Sequence, residues 1–142
     1  QTVAVTCERQ AIGLLRNLVQ DTPNYVQMVC FHLVAQGLQS VTKKNVEITL
    51  KMVSRQNSYA YQTLLGTLSS LQQRVLRLAA IENQQVYSKD VLVKYEIPSS
   101  AALASSFKAL RQKQILDEAG GRGRVVFDDP LFAYWLREEF TM

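Results

Sequence analysis

No Gly-x-x-x-x-Gly-Lys-Ser/Thr run occurs in this chain, so it carries no phosphate-cradling loop of its own. Histidine occurs once, as His32, with no second metal-type ligand three or four residues further on. A satisfied imidazole at the edge of the core is the reading this supports. Cysteine occurs twice, and Cys7 and Cys30 stand alone without metal-ligand spacing. They are expected to be buried thiols in a reducing compartment. No stretch approaches the ~18 consecutive apolar residues of a membrane span. The N-terminus shows no basic region followed by an apolar core, so no signal peptide is read there. A cytoplasmic protein without a membrane partner is expected. No serine, cysteine or carboxylate sits in a recognisable nucleophile context, so the chain is not expected to be an enzyme, and no catalytic, cofactor or metal residue is assigned. Internal repeats and low-complexity tracts are also missing. The first residue is Gln1 rather than Met, which suggests a piece of a longer polypeptide.

What is present is mostly helical patterning. Apolar residues make up 47% of the 142 positions, enough for a sizeable core. Residues 1–68 read as helices. A short extended start at 2–5 leads to Thr6 as a cap, and Ile12, Leu15, Leu18 and Val19 share one side of the first helix. Pro23 opens a second, which carries Val26, Val29, Cys30, Leu33 and Val34 on one face and further apolar residues elsewhere, as a largely buried central helix would. Gly37 stops it. Thr42 caps a third helix, with Val41 and Val46 placed as a hydrophobic staple. A fourth spans about 59–68.

Residues 69–127 give the clearest pattern. The first helix there sets Leu71, Val75, Leu78 and Ala79 on one face. Val86 and Tyr87 form a two-residue strand candidate, and Ser88 caps the following helix, which Pro98 ends. Ser99 or Ser100 caps the next, whose inward face is Leu103, Phe107 and Leu110. Two apolar segments then flank Gly120-Gly121-Arg122-Gly123, a tip that tolerates positive φ. Helix, turn, helix and β-hairpin in this order are the winged-helix pattern. Asp129 and Pro130 start a last helix bearing Leu131, Phe132, Trp135 and Leu136. The expected fold is therefore mostly α: a helical subdomain over 1–68 packed on a winged helix-turn-helix domain over 69–142, with a small β-hairpin wing and a C-terminal helix. No proline- or glycine-rich linker separates the two halves.

The charge of +4 permits nucleic-acid binding without requiring it. Between residues 99 and 127, Lys108, Arg111, Lys113, Arg122 and Arg124 face only Asp117 and Glu118, a local balance of +3. In a winged helix the third helix can enter the major groove while the wing reaches phosphates or the minor groove. Ser105, Ser106 and Lys108 lie off the Leu103–Phe107–Leu110 face in this reading. Ser105, Ser106, Lys108, Arg111, Lys113, Arg122 and Arg124 are thus the candidate DNA-binding residues. Against this, residues 69–142 hold ten basic and nine acidic side chains, a net of +1, and the third helix is rich in alanine and serine. Docking of a protein or of another domain is the competing reading.

Two strings resemble a known family. Thr22-Pro23-Asn24-Tyr25-Val26-Gln27 is similar, without the usual glycine, to the element opening the second lid helix of archaeal-type ATPases of the AAA+/STAND class. Asp129-Pro130-Leu131-Phe132-Ala133-Tyr134-Trp135-Leu136-Arg137 resembles the string that follows their C-terminal winged helix. The resemblance implies a helical lid followed by a winged helix. Its catalytic P-loop domain would lie upstream in the same polypeptide, with ATP and magnesium bound there and no cofactor here. The implied role is to couple nucleotide state to duplex DNA or a protein partner. A stand-alone winged-helix transcription regulator, or an adaptor module for protein interaction, are the alternatives.

Overall fold

The computed structural model describes residues 6–19, 23–82, 86–118 and 124–139, and these contain eight helices and two small sheets. The chain divides into two compact units, Gln1–Ser58 and Tyr59–Met142. The division falls ten residues before the boundary expected at 68/69, so the fourth helix belongs with the second unit.

In the first unit, strand β1 (Thr6–Cys7) precedes helices α1 (Arg9–Val19) and α2 (Pro23–Ala35), strand β2 (Ser40–Val41) and helix α3 (Lys43–Gln56). The strands pair in parallel, Thr6 with Ser40 and Cys7 with Val41, where a helix cap had been expected at Thr6. Helix α3 packs against α1 and α2 and buries Val46, Thr49, Leu50, Val53 and Ser54. Thr42 caps it as expected. Its Oγ accepts from the Asn45 backbone, and the Asn45 side chain accepts from the Thr42 backbone.

Three expectations fail here. The buried stripe of α1 is Ala11, Leu15 and Val19, leaving Ile12 exposed. Helix α2 buries only Val29 and Leu33, with Phe31 70% exposed, so it is not enclosed within this unit. Both cysteines are free and exposed rather than buried. Burial of the Cys30 thiol in part, and then the neighbouring Cys7, still raise its pKa.

The second unit contains α4 (Ser58–Gly66), α5 (Ser70–Ile81), α6 (Lys89–Lys94), α7 (Ser100–Gln112), β3 (Leu116–Glu118), β4 (Val125–Phe127) and α8 (Pro130–Glu139). Helix α5 is central, packing against α7, α8 and β4. Its cap, Ser69, forms a reciprocal box with Gln72. Helix α8 buries seven consecutive residues, Pro130 to Leu136, because it fills the space between α5 and the sheet. Tyr61 of α4 joins this cluster, with ring centroids 4.9 Å from Phe132 and 5.3 Å from Trp135, which places α4 in this unit. Val86 is fully buried, yet it and Tyr87 lie in a turn and not in the strand expected there. Among the described residues, no helix is long and apolar enough to cross a membrane.

Candidate interaction surface

The surface is built on α6, α7 and the wing, and each starts from a local signal. The Ser88 hydroxyl accepts from the Val91 backbone and opens α6. Tyr87, just before it, meets the Phe107 ring edge-on at 6.1 Å. Ser99 opens α7 by accepting from Ala102.

Both helices end in the same way. After α6, Glu96 takes a left-handed φ of 57°, and Ile97 and Glu96 donate back to Leu92 and Val93. After α7, Gln114 has φ 60°, and Ile115 and Gln114 donate to Leu110 and Arg111. These are paired Schellman closures, with buried Ile97 and Ile115 as their apolar residues. They set the turn between the helices and aim the chain from α7 into β3.

The wing pairs Leu116 with Phe127, Asp117 with Val126 and Glu118 with Val125, antiparallel. Leu116, Val125 and Phe127 face inward while Asp117 and Glu118 face out. The hairpin tip at 119–123, Arg122 included, lies outside the described residues. Asp128 N–H donates to the Ile115 carbonyl at 3.0 Å, and Asp129 then caps α8 by accepting from Leu131 at 3.0 Å and Phe132 at 3.3 Å. Its other oxygen accepts from the Tyr61 hydroxyl at 3.1 Å. At the far end of α8, Arg137 donates to the Ala80 carbonyl of α5, and burial lowers its pKa.

Of the residues singled out for DNA, Ser105, Lys108, Lys113 and Arg124 are exposed. Ser106 is 5% exposed and does not face outward. It sits three residues after Leu103 and four before Leu110, so the buried stripe passes over it. Arg111 is half-exposed but engaged: its Nη2 lies 3.0 Å from the Glu118 carboxylate and its Nε 3.9 Å from Asp117. This pair ties the end of α7 to the wing strand and neutralises the largest cation on the helix. The outward face of the first two turns of α7 is then Ala101, Ala104 and Ser105, with Lys108 following. Small side chains of this kind offer none of the bidentate contacts with which Arg, Lys, Asn and Gln read base edges. The exposed face of α6 adds Lys89, Asp90 and Val93, the last 77% exposed.

Sequence reading missed a second ion pair. Lys94 reaches Glu82 at 3.0 Å and lies over the Tyr95 ring. The Glu82 hydrogen bond raises the lysine pKa, and burial raises that of Tyr95. Both pairs join side chains on different elements, and no spacing rule announces them. Among the described residues, no group of three His, Cys, Asp or Glu side chains is placed to hold a metal ion.

Residues 59–138, more than half of the chain, match the model of a family described as a probable winged helix domain. No curated protein and no solved structure matches the chain at a significant level.

Proposed function

The chain belongs to the probable winged helix domain family, and on that premise we propose that it is a non-catalytic interaction module whose winged helix docks a protein surface. Winged helices support binding either to DNA or to proteins. The observation that favours protein here is the face of α7: alanine and serine outward over two turns, with Arg111 held by Glu118 and Asp117. A smooth face of small residues lets another backbone approach closely, whereas the strongest base contacts of a DNA-reading helix come from long Arg, Lys, Asn and Gln side chains. The nearly balanced charge of 59–142, ten basic against nine acidic, agrees with this.

We further propose that the module is the lid and winged-helix part of a P-loop ATPase and passes the nucleotide state of an upstream domain to its partner. The order of helical unit and winged helix supports this, as does the Asp129–Arg137 string. Most of that string is core: Asp129 caps, Phe132 and Trp135 pack and Arg137 bridges to α5. Two exposed free thiols suit a reducing, cytoplasmic setting.

The second reading is duplex-DNA binding by Lys108, Lys113 and Arg124, with Arg122 in the glycine-rich stretch between β3 and β4. Fluorescence anisotropy with labelled duplex DNA over a salt series separates the two. The protein-docking reading expects no saturable binding tighter than the non-specific range of about 1–100 µM near physiological salt. Tighter binding whose salt slope flattens by nearly ~2 in Arg122→Ala/Arg124→Ala would instead establish DNA contact through the wing.

A further inference from the structure

The first unit carries an exposed apolar and basic surface of its own. We propose that the outward face of α3 is a docking site for an acidic amphipathic helix of a protein partner. Helix α3 gives Val46, Leu50 and Val53 to the core. On its opposite side Ile48 is 55% and Met52 37% exposed, one helical turn apart. Single exposed apolar residues are ordinary, but these two are adjacent and form one open patch of helix surface with Lys51, Arg55 and Gln56. Lys44, Ile48, Lys51, Met52 and Arg55 recur at helical spacing, so the apolar pair is flanked by cations along the stripe.

Charge identifies the occupant. Residues 1–58 hold six basic and three acidic side chains, +3 of the +4 carried by the whole chain. Four of those six, Lys43, Lys44, Lys51 and Arg55, lie on α3, against one acid, Glu47. Among the described residues, no carboxylate pairs with Lys44 or Lys51, in contrast with Arg111 on α7. A helix that sets apolar anchors on Ile48 and Met52 can place glutamates or aspartates against these lysines, amphipathic face to amphipathic face. Methionine, flexible and polarizable, adapts to such anchors. A nucleic-acid backbone would meet the lysines but leave Ile48 and Met52 uncovered, so it fits less well.

The test uses the full 142-residue chain and a fluorescent synthetic helix with leucines at i, i+4 and i+7 flanked by glutamates. Saturable binding is expected, weakened about tenfold or more by Ile48→Ser/Met52→Ser. Lys44→Glu/Lys51→Glu should also weaken it, and should in turn favour a lysine-flanked version of the same peptide. All four side chains point outward, so circular dichroism should show both variants folded. The proposal fails if the peptide does not bind, if acidic and basic peptides bind alike, or if neither variant changes affinity. It also fails if duplex DNA displaces the peptide and its own binding depends on the lysines but not on Ile48 and Met52.

Discussion

At the residue scale, Asp129 carries more structural weight than any other single carboxylate in the second unit. One oxygen satisfies two backbone donors at the start of α8 and the other accepts from Tyr61. Asp129→Ala should therefore lower stability by about 1–2 kcal/mol and Tyr61→Phe by about 1 kcal/mol. The two share one hydrogen bond, so the double variant should lose less than the sum. Urea unfolding followed by Trp135 fluorescence measures this, since Trp135 is the sole tryptophan and lies 5.3 Å from the Tyr61 ring. Additive losses would show that the bond contributes nothing.

A second prediction concerns alkaline pH. The folded state raises the pKa of Tyr95 by burial and that of Lys94 through its Glu82 hydrogen bond. Folding thus favours the protonated form of each. Their contribution is complete below the unfolded values, near 10.0 and 10.5, and is lost as pH rises through the higher folded values. Thermal midpoints measured from pH 8 to 11 should fall above about pH 10, and less steeply in Tyr95→Phe. An unchanged slope in that variant would remove Tyr95 from the account.

At the scale of elements, the helix ends divide into legible and illegible ones. Most starts are legible: Thr42, Ser88, Asp129 and one of the Ser99/Ser100 pair each combine a short polar side chain with a following apolar period and do cap a helix, whereas Thr6, read the same way, lies in a strand. The end of α6 is marked only by Pro98 and that of α7 by nothing, because their left-handed positions are Glu96 and Gln114 rather than glycine. A β-carbon there costs roughly 1–2 kcal/mol. Glu96→Gly and Gln114→Gly should each stabilise the protein by about 0.5–1 kcal/mol after the added unfolded-state entropy is counted. Gly37, at φ 73°, predicts the reverse: Gly37→Ala should destabilise by about 1 kcal/mol. Denaturant midpoints decide both, and destabilisation by either new glycine would show that its side chain does something the backbone angle hides.

Ser106 was misplaced for a related reason. A polar residue within a three-and-four spacing reads as outward by type, yet its angle puts it under the helix. Strand β1 escaped because two residues give no alternation, and its partner β2 lies more than thirty positions along the chain. The Arg111 pair was illegible for the same cause: it depends on the Gln114 turn bringing β3 back beside α7.

At the scale of the molecule, the two compact units divide the charge unequally, +3 in Gln1–Ser58 and +1 in Tyr59–Met142. The unit with the winged-helix fold is the less basic one, and that imbalance separates fold from partner. On the proposed lid reading, the chain, which has no phosphate-cradling loop, supplies too few donors to hold a nucleotide by itself. Calorimetric titration with ATP and magnesium is therefore expected to show no stoichiometric micromolar binding, and such binding would overturn the domain assignment.

On the proposed reading, the α7 surface disfavours DNA in part because Arg111, one of its two cations, is already paired. Asp117→Asn/Glu118→Gln keeps the shape of the wing strand, releases Arg111 and adds two units of positive charge. Duplex-DNA anisotropy across a salt series should show the parent protein binding weakly. The variant should bind more tightly, its log–log salt slope steeper by roughly 0.9 for the one phosphate contact Arg111 gains. If the parent already binds tightly with a slope of several charges, and the variant neither tightens nor steepens it, then the clamp masks nothing and the winged helix is a DNA-binding surface.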